Sequence, residues 1–567
     1  MKAILHTLPL VSVLSPVLVL GYTWPSWTDE LEDIMYLQSG MLRRGFHDGI
    51  SPCSFSTSRS PFRQGSAEWL RTAFHDAITH DKSTGQGGLD ASLMYEMERP
   101  ENQGNTGLNA TFGFFTGYQS IRSSMADLLA LGVYTSVREC AGPVVPFRAG
   151  RIDATVAGET GVPEPTTDLQ TTIAQFEKAG FSKSEMIAMV ACGHTLGGVH
   201  GNDFPDITGD SNESSFPRFD STTAKFDNTV VTEYFAGNTS NPLVVGPHAT
   251  NSDLRVFTSD NNATMQNLRD PAAFRTTCAS ILQRMIDTVP STVTLTEPIQ
   301  PVDVKPMALK LSITSASTIR FEGFIRIRMT QRQDPPPQTI TIPYKDRNGV
   351  QCGTCTITAT MSRFQGGQGL GFDDHFQFYE FATDIPHTTG ISSFTVQYST
   401  EPLHTNGGNG FPIRSEILAQ PLQSCVANLK KMKIVAAVQN DRVQMPVHAV
   451  VNVKNYTPGV FGAVIERRKV ALVSTGTGVG EYTFFSGETE VSDRSVFTQY
   501  DLVSGGEGED EECDGEEEVV EYDDGEDCDV DEGEEPLETG VVKVEFLSTA
   551  LFAQSQDESG CPTLLTA

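Results

Sequence analysis

The hydrophobic pattern of the 567-residue chain changes near residue 300, and this change divides the chain into two kinds of structure. Before that point apolar residues recur with helical spacing, as in Ser124–Leu131 and Met186–Gly198. After it, β-branched and aromatic residues alternate with polar ones, which is typical of strands buried on one face. We predict a mainly α-helical domain over residues 22–295 and a β-rich, sandwich-like domain over residues 300–500. The predicted strands are Thr318–Met329, Gln338–Tyr344, Thr354–Met361, Phe376–Phe381, Ser392–Tyr398, Lys433–Val438, Val447–Val453 and Lys469–Val473.

The segment Trp69–Ala77 combines a permanent cation with a group that titrates near neutrality. Arg71 and His75 are four residues apart, so on a helix they share one face. Such a pair can take a proton from a bound small molecule and stabilise the negative charge that remains. Phe74 adds an apolar wall, and Asp76 points about 100° away from His75. For this segment alone, a surface arginine beside a buried histidine is the alternative interpretation.

About 120 residues later, Met186–Gly198 has the pattern of an apolar helix with His194 at its polar end. Together and in this order, the two segments resemble the haem peroxidases of plants, fungi and bacteria, most closely the secreted fungal class (class II). Further segments follow in the family's order: Gly87–Ser92, Gly104–Leu108, Ser124–Leu131, Pro146–Asp153, Phe219–Asp227 and Leu254–Asp260. The resemblance covers residues 50–290. It implies a two-lobed helical domain with haem b (iron protoporphyrin IX) between the lobes.

The resemblance implies a role for each residue beside the haem. His194 corresponds to the ligand of the iron, and Asp260 would accept the other ring N–H of His194 and make the imidazole more anionic. Asn105 would accept a hydrogen bond from the ring of His75, which leaves the other ring nitrogen basic toward peroxide. Phe74 would line the haem pocket.

Two sets of oxygen-bearing residues suit a hard cation, Ca²⁺ before Mg²⁺. The set beside the first helix consists of Asp76, Gly88 through its carbonyl, Asp90 and Ser92. The set beside the second helix consists of Thr195, Asp220, Thr222 and Asp227. The resemblance implies a calcium ion at each, although Lys225 stands where the family has an apolar residue. A polar turn and an acidic loop are the alternatives for the two sets.

The function implied by the resemblance is that of a secreted haem peroxidase. Hydrogen peroxide would be reduced to water through a ferryl intermediate, with His75 moving the proton and Arg71 stabilising charge. Small, phenolic donors would then be oxidised in one-electron steps. The competing hypothesis is a secreted wall- or carbohydrate-binding protein that uses a calcium-stabilised peroxidase scaffold. A catalase that releases oxygen is a third hypothesis.

Five positions narrow the choice of donor. The family's manganese-oxidising members use three carboxylates, and the corresponding positions hold Gln64, Glu68 and His200, so we expect no efficient Mn²⁺ oxidation. Met189 stands five residues before His194, where relatives that oxidise bulky lignin have a surface tryptophan. Phe219 replaces the tryptophan of the cytochrome c-oxidising relatives. The segment Pro163–Pro165 falls where the family lines the haem access channel, with a simple turn as the alternative.

The ends of the chain carry further signals. Residues 1–21 have the pattern of a signal peptide, with a membrane anchor as the alternative, so we expect secretion and disulfides.

The resemblance implies a Cys53–Cys140 bridge, and a local bridge is our interpretation of Cys352 and Cys355. Candidate glycan acceptors are Asn109, Asn212, Asn238, Asn262 and Asn455.

The net charge of −32 makes nucleic acid and anionic membranes unlikely partners. Residues 506–538 contain about twenty Asp and Glu without Lys or Arg, so we expect this segment to be disordered, ahead of a tail over residues 539–567. No catalytic constellation is found in the predicted β domain. Contact of this domain with wall polysaccharide is a hypothesis motivated only by its attachment to a secreted oxidative enzyme.

Overall fold

The computed structural model describes residues 22–54, 63–104, 106–315, 317–491, 498–505, 541–548, 553–555 and 561. The predicted signal peptide, Asn105, the acidic segment 506–538 and most of the tail lie outside the described residues. Within them, no helix is both long and apolar enough to cross a membrane.

The first half of the chain is helical, as predicted. The α-helices are α1 Asp29–Tyr36, α2 Gly65–Ala77, α3 Thr106–Phe115, α4 Met125–Glu139, α5 Leu169–Lys178, α6 Lys183–Gly193, α7 Pro205–Thr208, α8 Thr229–Ala236, α9 Pro242–Val245, α10 Ser252–Thr258, α11 Ala263–Asn267 and α12 Pro271–Ile286. Short 3₁₀ helices span Phe46–Gly49, Ser92–Tyr95, Pro100–Asn102, Phe364–Gly367 and Asn406–Gly408.

Local sequence signals fix the ends of the helices around the core. Ser182 and Glu185 form a capping box at the start of α6, which satisfies two backbone N–H groups that the helix leaves free. Ser124 accepts a hydrogen bond from the third residue of α4. Asp270 caps α12, where Pro271 occupies the first turn without loss of a helical hydrogen bond. The apolar faces of α2, α4, α6 and α12 enter one hydrophobic core.

Four disulfide bridges are present in the described residues. The predicted pairs Cys53–Cys140 and Cys352–Cys355 are confirmed. Cys192–Cys278 joins α6 to α12, and Cys425–Cys561 joins the second half of the chain to its C-terminal tail. No pairing was predicted for these last four cysteines.

The second half is β-rich, as predicted. Its strands, with one short strand from the helical region, are β1 Ser39–Gly40, β2 Val304–Ile313, β3 Thr318–Arg328, β4 Thr339–Lys345, β5 Gln351–Met361, β6 Gln368–Leu370, β7 His375–Pro386, β8 Ser393–Phe394, β9 Phe411–Pro412, β10 Ile417–Ala419, β11 Cys425–Ala427, β12 Lys431–Gln439, β13 Val447–Asn455, β14 Val464–Ala471, β15 Val473–Val479, β16 Tyr482–Glu490, β17 Gln499–Ser504, β18 Val542–Ser548 and β19 Ala553–Ser555.

These strands form three sheets. A nine-stranded antiparallel sheet has β1, β6, β7, β5, β4, β8 and β9 in order, with β2 and β3 attached at β7. A six-stranded sheet has the order β15, β16, β12, β11, β19 with β10 on β12, and a four-stranded sheet has the order β14, β13, β17, β18. Separate hydrophobic clusters lie on the nine-stranded sheet and between the two smaller ones. A further cluster joins Ile313 and Ile319 of the nine-stranded sheet to Leu418 and Val435 of the six-stranded one. The predicted strand Lys469–Val473 falls across the junction of β14 and β15.

A buried charge cluster joins the helical and β regions. Lys305 on β2 donates to the main-chain oxygen of Asp29 at 2.8 Å and to the carboxylates of Glu32 and Asp33 at 2.9 Å each. Arg326 on β3 binds the same two carboxylates of α1. Burial alone raises the pKa of Glu32, but Arg326 and Lys305 lower it to about 2. The N-terminal helix is therefore tied to the β region as well as to the helical core.

Candidate active site

One cavity of about 350 Å³ brings together the two histidines that the sequence analysis singled out. Helix α2 contributes Arg71, Phe74 and His75, and His194 follows directly after α6 on the same cavity wall as Val190. The arrangement agrees with the four-residue spacing, since Arg71 and His75 both face this space.

The ring of His75 is held by Asn102. Its Nδ1 lies 2.8 Å from Oδ1 of Asn102, and the side-chain nitrogen of Asn102 donates to the main-chain oxygen of Glu96 at 2.9 Å. The second bond fixes the orientation of the amide, so Oδ1 accepts the ring Nδ1–H. The role at Nδ1 that we predicted for Asn105 is filled in the structure by Asn102, which the 3₁₀ turn Pro100–Asn102 places there. Asn105 itself lies outside the described residues.

The environment keeps His75 neutral. Burial and the nearby charge of Arg71 lower the pKa of His75 to about 3, against smaller opposing effects of the Asn102 hydrogen bond and of Glu68. With its proton on Nδ1, the ring presents an unprotonated Nε2, and no described residue bonds that atom. The ring can therefore act as a base at and below neutral pH.

Arg71 is anchored by the loop that carries Asn102. Its guanidinium donates to the carbonyl oxygens of Gly104 at 3.0 Å and Gln103 at 2.7 Å, and lies 4.0 Å from the carboxylate of Glu68. Burial lowers the pKa of Arg71, yet an arginine remains charged under any ordinary condition. It is a fixed positive charge on the wall that also carries His75.

The ring of His194 is held by Asp253 rather than by Asp260. Nδ1 of His194 lies 2.9 Å from Oδ2 of Asp253, which also accepts a hydrogen bond from Asn241 at 2.7 Å. Asp260 instead accepts from the main chain and hydroxyl of Thr264, beyond the end of α10. Our prediction for Asp260 is corrected accordingly. The ring of Phe219 stacks on His194 with centroids 4.2 Å apart.

The residues present fit a haem group. Both Nδ1 atoms are engaged by protein oxygens, whereas no described residue bonds either Nε2. The lining of the cavity is largely apolar and includes Leu70, Phe74, Phe176, Met189, Val190, Leu196, Phe219, Val256, Leu282 and Met285. A neutral imidazole backed by a carboxylate is a suitable iron ligand, and apolar walls suit a macrocycle.

The first predicted oxygen set forms a buried cluster. Both carboxylate oxygens of Asp76 accept main-chain N–H groups, from Ala91 at 2.7 Å and from Leu93 at 3.0 Å. Burial and the neighbouring Asp90 raise the pKa of Asp76 well above its usual value. The hydroxyl oxygen of Ser92 is buried and has no hydrogen-bond partner in the structure. The donors thus suit a cation, although the Asp76 hydrogen bonds already tie the loop to α2.

The second predicted oxygen set also comes together. Thr222 Oγ1 lies 3.2 Å from Asp220 and 3.0 Å from Asp227, and Thr195 donates to the main-chain oxygen of Asp227 at 2.5 Å. Burial, with smaller repulsion from Asp227 and Glu233, raises the pKa of Asp220 to about 7, and its Oδ2 has no hydrogen-bond partner. Lys225 lies 3.1 Å from Asp227.

These two oxygen sets fit a cation through their hydroxyl and carboxylate donors. Across the described ranges, no group of three or more His, Cys, Asp or Glu has the arrangement of a metal site.

A third wall of the cavity corresponds to the predicted manganese positions. Gln64, Glu68 and His200 all line it, with Glu68 3.6 Å from His200. Buried Arg63 donates to Glu68 at 2.8 Å and also binds Asp203. Since Arg63 partly neutralises the single acid of this set, the wall offers little to a divalent cation.

Comparison with known proteins agrees with this geometry. Residues 57–270 match the family model described as Peroxidase. A WSC domain-containing protein of Arthroderma benhamiae is 49% identical over 383 residues, which cover 66% of this chain and 52% of that protein. This match is longer than the helical region, so it extends into the β region.

Other relatives match a shorter part of the chain. The peroxisomal L-ascorbate peroxidase 5 of Arabidopsis thaliana is 31% identical, over 30% of this chain and 58% of its own length. The mitochondrial cytochrome c peroxidase of Aspergillus fumigatus is 30% identical, over 25% of this chain and 38% of its own. The chain thus spans between about a third and three fifths of the length of these relatives. The matches support placing the helical domain in the superfamily of plant and fungal peroxidases.

Proposed function

We propose that the helical domain is a haem peroxidase that reduces hydrogen peroxide and oxidises small, phenolic donors. The observation that carries this proposal is the pair of imidazoles, His75 and His194, that line one cavity with Nε2 unpartnered on both rings. His194 would hold the iron of haem b, with Asp253 behind it. When bound, the haem supplies the redox chemistry that no side chain of the cavity can supply.

On the other side of the cavity, His75 moves a proton. Its neutral Nε2 takes the proton from one oxygen of hydrogen peroxide and returns it to the departing oxygen, which leaves as water. Arg71 stabilises the negative charge that develops while the O–O bond breaks. Asn102 keeps the ring in the tautomer in which Nε2 is the base.

Two donor molecules complete the reaction. Each phenol gives up one electron and its hydroxyl proton, so one peroxide and two phenols yield two waters and two phenoxyl radicals. Efficient oxidation of Mn²⁺ is not expected, since Glu68 is the only acid of its set and binds Arg63. Met189 and Phe219 stand where lignin-oxidising and cytochrome c-oxidising relatives have tryptophan, so a tryptophan radical at these positions is not expected.

We also propose a calcium ion at each of the two oxygen sets. The unpartnered Ser92 Oγ and Asp220 Oδ2 support this proposal, because a buried polar atom without a partner is costly. A chelator should lower the melting temperature and added Ca²⁺ should restore it. A melting temperature that responds to neither would remove the calcium proposal.

Secretion remains part of the proposal and rests on the pattern of residues 1–21. A mature extracellular protein whose N-terminal sequence begins near Tyr22 is the expected result. The rival function is a binding protein on an inactive peroxidase scaffold, and the similarity to the WSC domain-containing protein of Arthroderma benhamiae supports it in part. A Soret band and a reaction with peroxide would separate the two.

The direct experiment replaces the proposed base. His75→Ala should retain haem but react with hydrogen peroxide about 10²–10⁴-fold more slowly, the usual contribution of a general base. His80→Ala is the matched control, since His80 follows the same helix and does not line the cavity. A His75→Ala protein that reacts at the unaltered rate would refute the assignment.

A further inference from the structure

Two exposed carboxylates lie where the cavity meets solvent. Glu164, in the segment Pro163–Pro165, and Asp206, in α7, both line the cavity, and both residues are exposed. In the described part of the chain, neither carboxylate has an ion pair or a hydrogen bond. These two acids are therefore free to interact with a molecule that enters.

Carboxylates outnumber cations among the residues that line the cavity, and Arg255 beside it is bound to the carbonyl oxygens of Pro165 and Thr167. Arg71 is the only Lys or Arg among the residues that line the cavity, and it is bound to the carbonyls of Gln103 and Gly104. Arg63 forms ion pairs with both Glu68 and Asp203. Its positive charge is therefore balanced by these two carboxylates and does not compensate Glu164 or Asp206. A cleft lined by one sign of charge concentrates ions of the opposite sign and raises their association rate.

The same opening offers apolar surface for a ring. The cavity is also lined by Pro163 and Pro165, which flank Glu164 in the sequence, and by Phe204 and Pro205, which precede Asp206. A flat aromatic ring can pack against such prolines and the phenylalanine, while a charged tail attached to it would lie near Glu164 or Asp206.

We propose that Glu164 and Asp206 make the cavity selective for aromatic donors that carry a positive charge, such as phenols with an ammonium tail, over donors that carry a carboxylate. This inference rests on the proposed function and names the class of donor that it uses. Neutral phenols fall between the two classes, because they neither gain nor lose from the charge at the opening. The selectivity is electrostatic, so it decreases as salt screens the two carboxylates.

The test compares three phenols that differ only in the tail: tyramine, tyrosol and 3-(4-hydroxyphenyl)propionate. At low ionic strength and neutral pH, kcat/KM for tyramine should exceed that for the propionate by about tenfold, at the lower end of known electrostatic steering. The ratio of the two kcat/KM values should fall at high salt. In E164Q/D206N it should fall toward one even at low salt, because the two carboxylates are then uncharged amides. Glu177→Gln with Glu297→Gln is the matched control, because neither residue lines the cavity and the change in net charge is the same.

The rate of reaction with hydrogen peroxide alone is measured on every variant. If no variant, nor the unaltered protein, reacts with peroxide, the proposed function fails. If peroxide reacts but the propionate is oxidised as fast as tyramine, or E164Q/D206N retains the full ratio, the inference about donor charge is overturned.

Discussion

Nδ1 of His75 on α2 lies 2.8 Å from Oδ1 of Asn102, which stands at the end of a 3₁₀ turn. We predict that Asn102→Ala slows the reaction with peroxide by about tenfold, because loss of one hydrogen bond of this kind weakens the preferred tautomer by roughly 1.4 kcal/mol. Asn105→Ala is the matched control and should react at nearly the unaltered rate. Stopped-flow absorbance measures both, and a larger effect at Asn105 would restore the sequence-based assignment.

Asp253 should control the electron density on His194. In Asp253→Asn the ring loses its carboxylate partner, becomes less anionic, and stabilises ferric iron less, so the ferric–ferrous midpoint potential should rise. Asp260→Asn leaves the His194 hydrogen bond intact and should leave the potential unchanged. Spectroelectrochemical titration of the haem-loaded proteins distinguishes the two, and equal shifts would contradict the assignment.

The pH dependence of the peroxide step follows from the pKa of His75, which burial and Arg71 lower to about 3. The native ring stays neutral while pH falls from 7 toward that value, so the rate constant should stay nearly level and decline only as pH approaches 3. Between pH 6.5 and 3 the unfolded chain binds a proton here that the native chain does not, so this group lowers stability as pH falls. A decline of the rate constant centred near pH 6.5 would contradict this prediction, because it would show that His75 has the pKa of an ordinary, unburied histidine.

The buried charge cluster predicts how strongly the β region supports α1. Arg326→Met leaves Glu32 and Asp33 with Lys305 alone, and removal of one partner from a buried ion pair costs about 3 kcal/mol or more. Arg320→Met on the same strand is the matched control, since Arg320 forms exposed ion pairs, and should cost less than about 1 kcal/mol. Urea unfolding measures both free energies, and equal losses would contradict the role of the cluster.

Spacing in the sequence was sufficient to predict that Arg71 and His75 lie on one face of a helix. Arg71 and His75 share a face because a helix repeats every 3.6 residues, and that geometry needs no information from the rest of the fold. The eventual position of His194 on the same cavity required the family resemblance, since the spacing of residues about 120 positions apart in the sequence does not determine their separation in space.

The hydrogen-bond partners of His75 and His194 could not be predicted from sequence patterns alone. Asn102 and Asn105 are three residues apart, and in the stretch around α10 the dipeptide Ser-Asp occurs at Ser252–Asp253 and again at Ser259–Asp260. In each case the motif was assigned to the later copy, whereas the structure uses the earlier one. The 3₁₀ turn at Pro100 and the position of α10 decide which copy reaches the ring, and both depend on tertiary packing.

The β region illustrates the same limit on a larger scale. Alternation of apolar and polar residues located about half of the strands, among them β3, β4, β5, β12 and β13, because one face of each is buried. It could not show that the strands divide into three sheets, since pairing between distant strands leaves no local signal.

Haem titration into His194 variants tests the central claim most directly. The unaltered protein should bind one haem per chain with a Soret band typical of histidine ligation, His75→Ala should bind it equally well, and His194→Ala should lose the band and regain it with added imidazole. Absence of haem uptake by the unaltered protein, or a Soret band in His194→Ala identical to that of the unaltered protein, would contradict the account.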